Sequence, residues 1–210
     1  MGYCKKSCED FLTELAGKAP VPGGGGASAL VGAVGMALGS MVGSLTLGKK
    51  KYQDVEEDIR ILMDRAEKIR LCLIELVDED AVAFEPLSKA YGLPKNTPEE
   101  IEERDKIMAE ALLIASNVPL AIMEKCCEAI EVISEFADKG SRLAISDAGV
   151  AAACAKAALC GASFNVYINT ASMKDEKLAN ELNDKADSML AKYCALADET
   201  YDKVMKLIRK

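Results

Sequence analysis

Apolar residues recur every three or four positions along most of the chain, and this spacing predicts helices nearly throughout. Residues 3–16 read as a short amphipathic helix with Phe11, Leu12 and Leu15 on one side, ended by Pro20 and Pro22. A helix of small residues follows at 26–47. The next spans 52–91, with Ile59, Leu62, Met63, Ala66, Ile69 and Leu73 at spacings of three and four, and Gly92 and Pro94 close it. Thr97-Pro98-Glu99-Glu100 is a helix start: Thr97 can cap, proline suits the first position, and Glu100 completes a capping box. That helix is expected to reach 138, with a kink near Pro119 and Gly140 as its stop. Ser146 or Asp147 is expected to cap a second small-residue helix over 148–162, and a last amphipathic helix covers 174–208. Only 164–169 is ambiguous between strand and helix. No repeat or linker divides the chain. The pattern predicts one all-α domain over 1–210, a bundle of long antiparallel helices around two Gly/Ala-rich core helices.

Composition sharpens this picture. Half of the residues are hydrophobic, yet there are only four Phe, six Tyr and no Trp, so the core must be built from Ala, Leu, Ile, Val and Met. That suits packed helices better than sheets. The balance of 26 basic and 34 acidic residues leaves a net charge of −8, with no basic face carrying interleaved aromatics, which argues against nucleic acid as a partner. The chain has no histidine. Imidazole bases, His-ligated zinc and Ser-His triads are thereby excluded, and proton transfer must use Asp, Glu, Lys, Tyr, Cys or water.

Eight cysteines stand at 4, 8, 72, 126, 127, 154, 160 and 194, none in a CxxC pair. Cys4 and Cys8 lie one turn apart, but two thiolates alone make a poor zinc site, so no metal is expected. Lys5, Lys6, Glu9 and Asp10 make the N-terminus polar, unlike a secretory leader. Reduced thiols in a cytoplasmic protein fit this pattern.

Residues 19–48 carry no charge and open with Pro22 and four glycines. Gly43-Ser-Leu-Thr-Leu-Gly48-Lys49-Lys50 approaches the phosphate-loop pattern but has Lys50 where a magnesium-holding hydroxyl is required, and no strand precedes it. A membrane span is a stronger rival, since Gly35, Gly39 and Gly43 form overlapping GxxxG steps. Few large aliphatics and no preceding interfacial aromatic support a span, whereas close packing of two small-residue helices explains both stretches. No membrane association is expected. Glycines leading into a helix can present backbone N–H groups to an anion or carboxylate, although a plain flexible turn would read the same way.

The combination of motifs is more specific than its parts. Pro22-Gly-Gly-Gly25, the small-residue helix and Ser44-Leu-Thr-Leu-Gly-Lys-Lys-Lys-Tyr52 resemble the cyclodeaminase/cyclohydrolase family of folate enzymes. Leu76-Val-Asp-Glu-Asp80 with Ala83-Phe84, Leu93-Pro-Lys95, Val118-Pro-Leu120, Ser146-Asp-Ala-Gly-Val150 and Asn165-Val-Tyr-Ile-Asn169 extend the resemblance over roughly residues 8–207. Two positions depart from it. Gly26 stands where Ser is common, with Ser28 two residues on, and Ser141 stands where Asn is common.

The resemblance implies an all-helical homodimer that binds a folate derivative, possibly polyglutamylated, in a cleft near the subunit interface, with no cofactor beyond this tetrahydrofolate substrate. It implies hydrolysis of 5,10-methenyltetrahydrofolate to 10-formyltetrahydrofolate, or alternatively release of ammonia from 5-formiminotetrahydrofolate to give the methenyl compound. The departures at 26 and 141 keep open a catalytically silent folate-binding dimer. Within this frame Asp147 is the first candidate base, at a helix start that favours its ionised form, against a simple cap. Asp80 is the second, with Lys95 as a partner that would reduce it to a structural ion pair. Gly24, Gly25, Gly26 and Ser28 would border the reacting carbon or hold a carboxylate. Lys49, Lys50 and Lys51 would attract the glutamate tail, or be a solvated helix end. Asn165 and Asn169 would share a face, if helical, and match a pterin edge. Ser146 accompanies Asp147.

Overall fold

The structure, a computed structural model, describes residues 2–209. Six α-helices follow in order: α1 (Cys8–Leu15), α2 (Gly24–Ser44), α3 (Glu56–Tyr91), α4 (Pro98–Lys139), α5 (Ile145–Thr170) and α6 (Glu176–Ile208). No strand occurs among the described residues.

Local sequence sets most of the boundaries. Ser7 caps α1 by accepting the Asp10 N–H, so the stretch expected as one helix from residue 3 is a 3-10 turn followed by α1. Thr97 and Glu100 form the expected capping box, with Pro98 in the first turn. Gly140 ends α4. Gly48, with φ of 74°, provides the left-handed turn that lets the chain leave α2 and enter a 3-10 segment at Lys50–Val55.

Two boundaries differ from expectation. Residue Ala144, not Ser146 or Asp147, occupies the start of α5, without a side-chain cap, because a 3-10 turn at Arg142–Ala144 feeds the helix directly. The ambiguous 164–169 segment is the continuation of α5. Its β-forming Val, Tyr and Ile are outweighed by the packing of Val166 and Asn169 into the bundle.

The two small-residue helices form the centre, as expected. They run antiparallel and close: a side chain on Gly35 would meet the Ala151 carbonyl at 3.0 Å and the Ala155 nitrogen at 3.2 Å. Gly39 and Gly43, further along α2, face the large core side chains. A Cβ on Gly39 would meet Ile133 at 3.2 Å, and one on Gly43 would meet Phe136 at 2.7 Å. Around this pair, α3 packs on α2, α6 packs on α5, and α4 crosses behind all four. Sequential helices are antiparallel, while α4 runs alongside α6 in the same direction, as Lys185–Glu124 and Lys203–Asp138 show. Fully buried Phe136, Met36, Ile133, Leu73 and Leu159 fill the core, each contributing roughly 1.5–3 kcal/mol of transfer free energy.

By length and composition, Gly24–Ser44, Pro98–Lys139 and Arg142–Thr170 could each cross a membrane, and half of each apolar window is buried within the bundle. On α2, Val31, Val34, Met41 and Leu45 lie exposed on one side.

Candidate active site

Three successive acidic residues in α3 have three different fates. Asp78 accepts the backbone N–H of Tyr3 at 2.6 Å, Glu79 faces solvent, and Asp80 turns inward toward the start of α2. There Asp80 Oδ2 accepts the Gly26 N–H at 2.8 Å. The glycine-rich helix start thus receives a carboxylate as its chemistry suggests, but the carboxylate is the protein's own. A Cβ on Gly25 would overlap the Asp80 carboxyl, 2.5 Å from its Cγ, so glycine is required there by space. At Gly26 a Cβ would meet the Val77 carbonyl at 3.2 Å, a tight but lesser conflict.

Asp80 borders a cavity of about 170 Å³ together with Gly24, Phe84, Pro119, Asn165 and Asn169. Burial pushes its carboxyl above the usual carboxylate range, and the Gly26 N–H pulls it only partly back. Lys95 does not reach it. That lysine is exposed in the connection after α3, whose last residue lies eleven positions beyond Asp80, roughly 16 Å along the helix. No ion pair to Asp80 exists among the described residues, which overturns the structural-pair reading.

The two asparagines do share a face of α5 at this cavity. Asn165 donates to the Gly161 carbonyl at 3.1 Å, and its amide lies against Gly24. Asn169 is buried and donates to the Ala115 carbonyl at 2.8 Å, tying α5 to α4. In each case one amide N–H is held by the protein, and among the described residues the carbonyl oxygen has no hydrogen-bond partner. Ser28 is not at the cavity: its hydroxyl donates to the Gly24 carbonyl at 2.7 Å and packs against Gly161. Sequence reasoning also passed over Pro20, Val21, Ala115, Pro119 and Ile168 as lining residues. Pro119 and Ile168 stand inside the quoted motifs, and Pro20, Val21 and Ala115 lie close to them in sequence.

The other candidates gather at the opposite end of the bundle. Asp147 lies eighteen residues before Asn165 on α5, roughly 27 Å along the helix, half-buried, while Ser146 is exposed. Near them Lys49 Nζ donates to Ser141 Oγ at 3.2 Å, and the Ser141 N–H donates to Thr46 Oγ1 at 2.8 Å. The Arg142 N–H donates to the Tyr52 hydroxyl at 3.0 Å and lowers the phenol's pKa, with Ser141, Lys51 and Arg142 adding to the effect. Lys50 and Lys51 are exposed beside this cluster. One end of the bundle therefore holds the carboxylate and amides, and the other holds the cations and Asp147. Among the described residues no group of acidic or thiol side chains is arranged to hold a metal ion.

The fold and cavity define a histidine-free helical bundle in which a half-buried carboxylate, without a cation among the described residues, borders a small cavity. Residues 7–188 match the family described as formiminotransferase-cyclodeaminase, and the chain belongs to it. The chain is 44% identical to the methenyltetrahydrofolate cyclohydrolase of Methylorubrum extorquens, over 95% of this chain and 96% of that one. It is 35% identical to the formimidoyltransferase-cyclodeaminase of Mus musculus, over 88% of this chain and 34% of that longer protein. A crystal structure of formiminotetrahydrofolate cyclodeaminase from Thermotoga maritima superposes with a TM-score of 0.80 at 29% identity, covering 97% of this chain and 96% of the other.

Proposed function

We propose that the protein is a folate one-carbon enzyme that hydrolyses 5,10-methenyltetrahydrofolate to 10-formyltetrahydrofolate, with Asp80 as its general base. The observation that carries this reading is the half-buried, cation-free Asp80 carboxylate at the cavity. The methenyl bridge is a delocalised cation between N5 and N10, so an uncompensated carboxylate favours it electrostatically. Water adds to the bridge carbon and gives one proton to Asp80, leaving a tetrahedral carbon that bears a hydroxyl. Asp80 returns its proton to N5 as the C–N5 bond breaks, and the hydroxyl proton is lost as the formyl carbonyl forms. The net change is one water consumed and one proton released. A carboxyl raised above its usual range is the better proton carrier at near-neutral pH, because its acid form is less uphill. The free carbonyl oxygens of Asn165 and Asn169 suit the donor edge of a pterin. The groups in this scheme all come from the chain, with no cofactor beyond the folate.

Similarity over nearly the whole chain to a cyclohydrolase supports this reaction. Similarity to the Thermotoga enzyme favours a second one, closure of N10 onto a formimino carbon with loss of ammonia. It passes through the same tetrahedral carbon with an amino group in place of the hydroxyl. A paired assay separates them: loss of the methenyl compound above its spontaneous hydrolysis, against ammonia release from 5-formiminotetrahydrofolate. Acceleration of the first alone is the expected result. Acceleration of the second alone replaces the proposed reaction, and acceleration of neither by folded protein removes both.

We further propose that the working unit is a homodimer built on the outer face of α2. Ala27, Leu30, Val31, Val34, Leu38, Met41 and Leu45 form that face without a charge. Apolar grooves flank it on both sides, one lined by Phe11 and Leu12, the other by Val150, Tyr201 and Met205. A ridge between grooves is self-complementary about a two-fold axis. Antiparallel pairing of two α2 helices would carry the start of one to the end of the other. The cavity beside Asp80 would then face the partner subunit's Lys49, Lys50 and Lys51, so opposite charges meet. In that arrangement the lysines would attract the glutamate tail of a substrate bound at the Asp80 cavity.

A further inference from the structure

The antiparallel α5 and α6 meet along a ladder of matched pairs. Lys156 Nζ binds Asp198 Oδ1 at 2.6 Å, the Tyr167 hydroxyl donates to Asp187 at 2.5 Å, and Thr170 Oγ1 donates to Asn183 Oδ1 at 2.7 Å. Each step up α5 is answered, to within one residue, by an equal step down α6. One rung of this ladder, a turn from Lys156 and Asp198, consists of two thiols: the sulfurs of Cys160 and Cys194 stand 3.6 Å apart.

We propose that Cys160 and Cys194 are a redox-active dithiol, a modification site at which a hydroperoxide closes a reversible disulfide across the α5–α6 seam. Both residues are half-buried, so a small oxidant can reach them while bulk solvent is limited. Closure brings the sulfurs to about 2.05 Å, a movement within the reach of side-chain rotation on helices already in contact. The two thiols lose two electrons and two protons, and the S–S bond forms. The peroxide O–O bond accepts the electrons and breaks, and its oxygens take the protons, giving two waters from hydrogen peroxide. Burial, and then the hydrogen bond with Cys160, push the Cys194 thiol up to about 11, with Lys156 pulling the other way. Cys194 therefore stays protonated at neutral pH and is the resolving partner, which displaces water from an oxidised Cys160 sulfur.

Among the other cysteines, Cys127 is near enough to Cys194 for their charges to interact, but the two sulfurs make no contact. Cys126 and Cys127 are consecutive on α4, so their side chains diverge, and both are buried. Burial raises both thiols, Cys127 to about 12. The Cys4 sulfur faces the Ile74 carbonyl at 3.8 Å. Among the described residues, Cys160 and Cys194 are the cysteine pair in contact.

The test uses the reduced full-length protein treated with hydrogen peroxide and, in a parallel arm, with diamide. Intact mass under non-reducing conditions should fall by two hydrogens, and peptide mapping should recover a Cys160–Cys194 linked pair that dithiothreitol separates. The cross-link closes a long loop, so the melting temperature should rise by roughly 5–10 °C on oxidation and return on reduction. Cys160→Ser and Cys194→Ser should abolish both changes, and Cys127→Ser should leave them intact. Peptide maps that show only intermolecular links through the exposed Cys8, or over-oxidation of Cys160 without a link, would overturn the proposal.

Discussion

Replacing Asp80 by Asn separates the carboxylate's chemistry from its place in the fold. The Asn carbonyl can retain the 2.8 Å hydrogen bond from the Gly26 N–H, and the side-chain volume is nearly unchanged, so the start of α2 stays paired. What is lost is the negative charge at the cavity and the proton acceptor. General-base catalysis is worth about 10²- to 10⁴-fold, so kcat for methenyl hydrolysis should fall by that factor, a barrier increase of about 3–5 kcal/mol. Stability should move the other way. Burial raises the Asp80 carboxyl, so the folded chain holds this proton more tightly than the unfolded chain. The resulting stabilisation is fully present below the ordinary carboxylate range and is lost as pH rises through the raised, folded-state value. Asn carries no such penalty. Asp80→Asn should therefore melt above wild type near neutral pH, and the difference should vanish as the medium approaches the ordinary carboxylate range. Asp80→Ala strands the Gly26 N–H and should lose about 1–3 kcal/mol of that advantage. The assay is steady-state hydrolysis followed by absorbance, paired with thermal melts across acid and neutral pH. A folded Asp80→Asn enzyme with turnover within twofold of wild type would refute the assignment.

Four further outcomes follow from the same geometry. Gly25→Ala places a methyl group on the Asp80 carboxyl and should depress turnover at least as far as Asp80→Asn, while lowering the melting temperature instead of raising it. Asn169→Ala leaves the buried Ala115 carbonyl unpaired and should cost about 1–3 kcal/mol in denaturant unfolding, together with a raised KM. Val34→Glu puts a charge in the middle of the apolar α2 face; light scattering should report monomers, and activity should disappear although circular dichroism stays helical. Mixing inactive Asp80→Asn protein with an inactive variant lacking Lys49, Lys50 and Lys51 should restore part of the activity after subunit exchange, because one of the two sites in a mixed dimer is then intact. A mixture as inactive as its components would rule out a site shared between subunits.

The fold was legible because its signals are local. Capping at Thr97, the stop at Gly140 and the three-and-four spacing of Ile59 to Leu73 each depend on neighbours within one or two turns, and each appears in the structure. The small-residue helices were legible as partners because glycines at 35, 39 and 43 have few uses except close approach. The α5 boundaries were not legible. The 3-10 turn before it replaces a side-chain cap, and the packing that keeps 164–169 helical comes from α4, more than fifty residues away.

The site was half legible for a comparable reason. Both halves of its chemistry were visible as residue types, but which carboxylate turns inward is decided by tertiary contacts. Asp147 sits at a helix start, where local rules favour an anion, yet it stands roughly 27 Å along α5 from Asn165. Asp80 sits mid-helix, where local rules give it no role, and acquires one only because α2 begins beside it with residues too small to exclude it. The four-glycine run is therefore best understood through Asp80. Gly25 is open space for the carboxyl group, and Gly26 supplies the N–H that holds it. A glycine-rich helix start that looked like half of an anion site is the mounting for the carboxylate proposed as the base. That inversion also explains how the carboxylate can remain without a cation: the helix start supplies enough partial positive charge to orient it, but not enough to cancel the effect of burial.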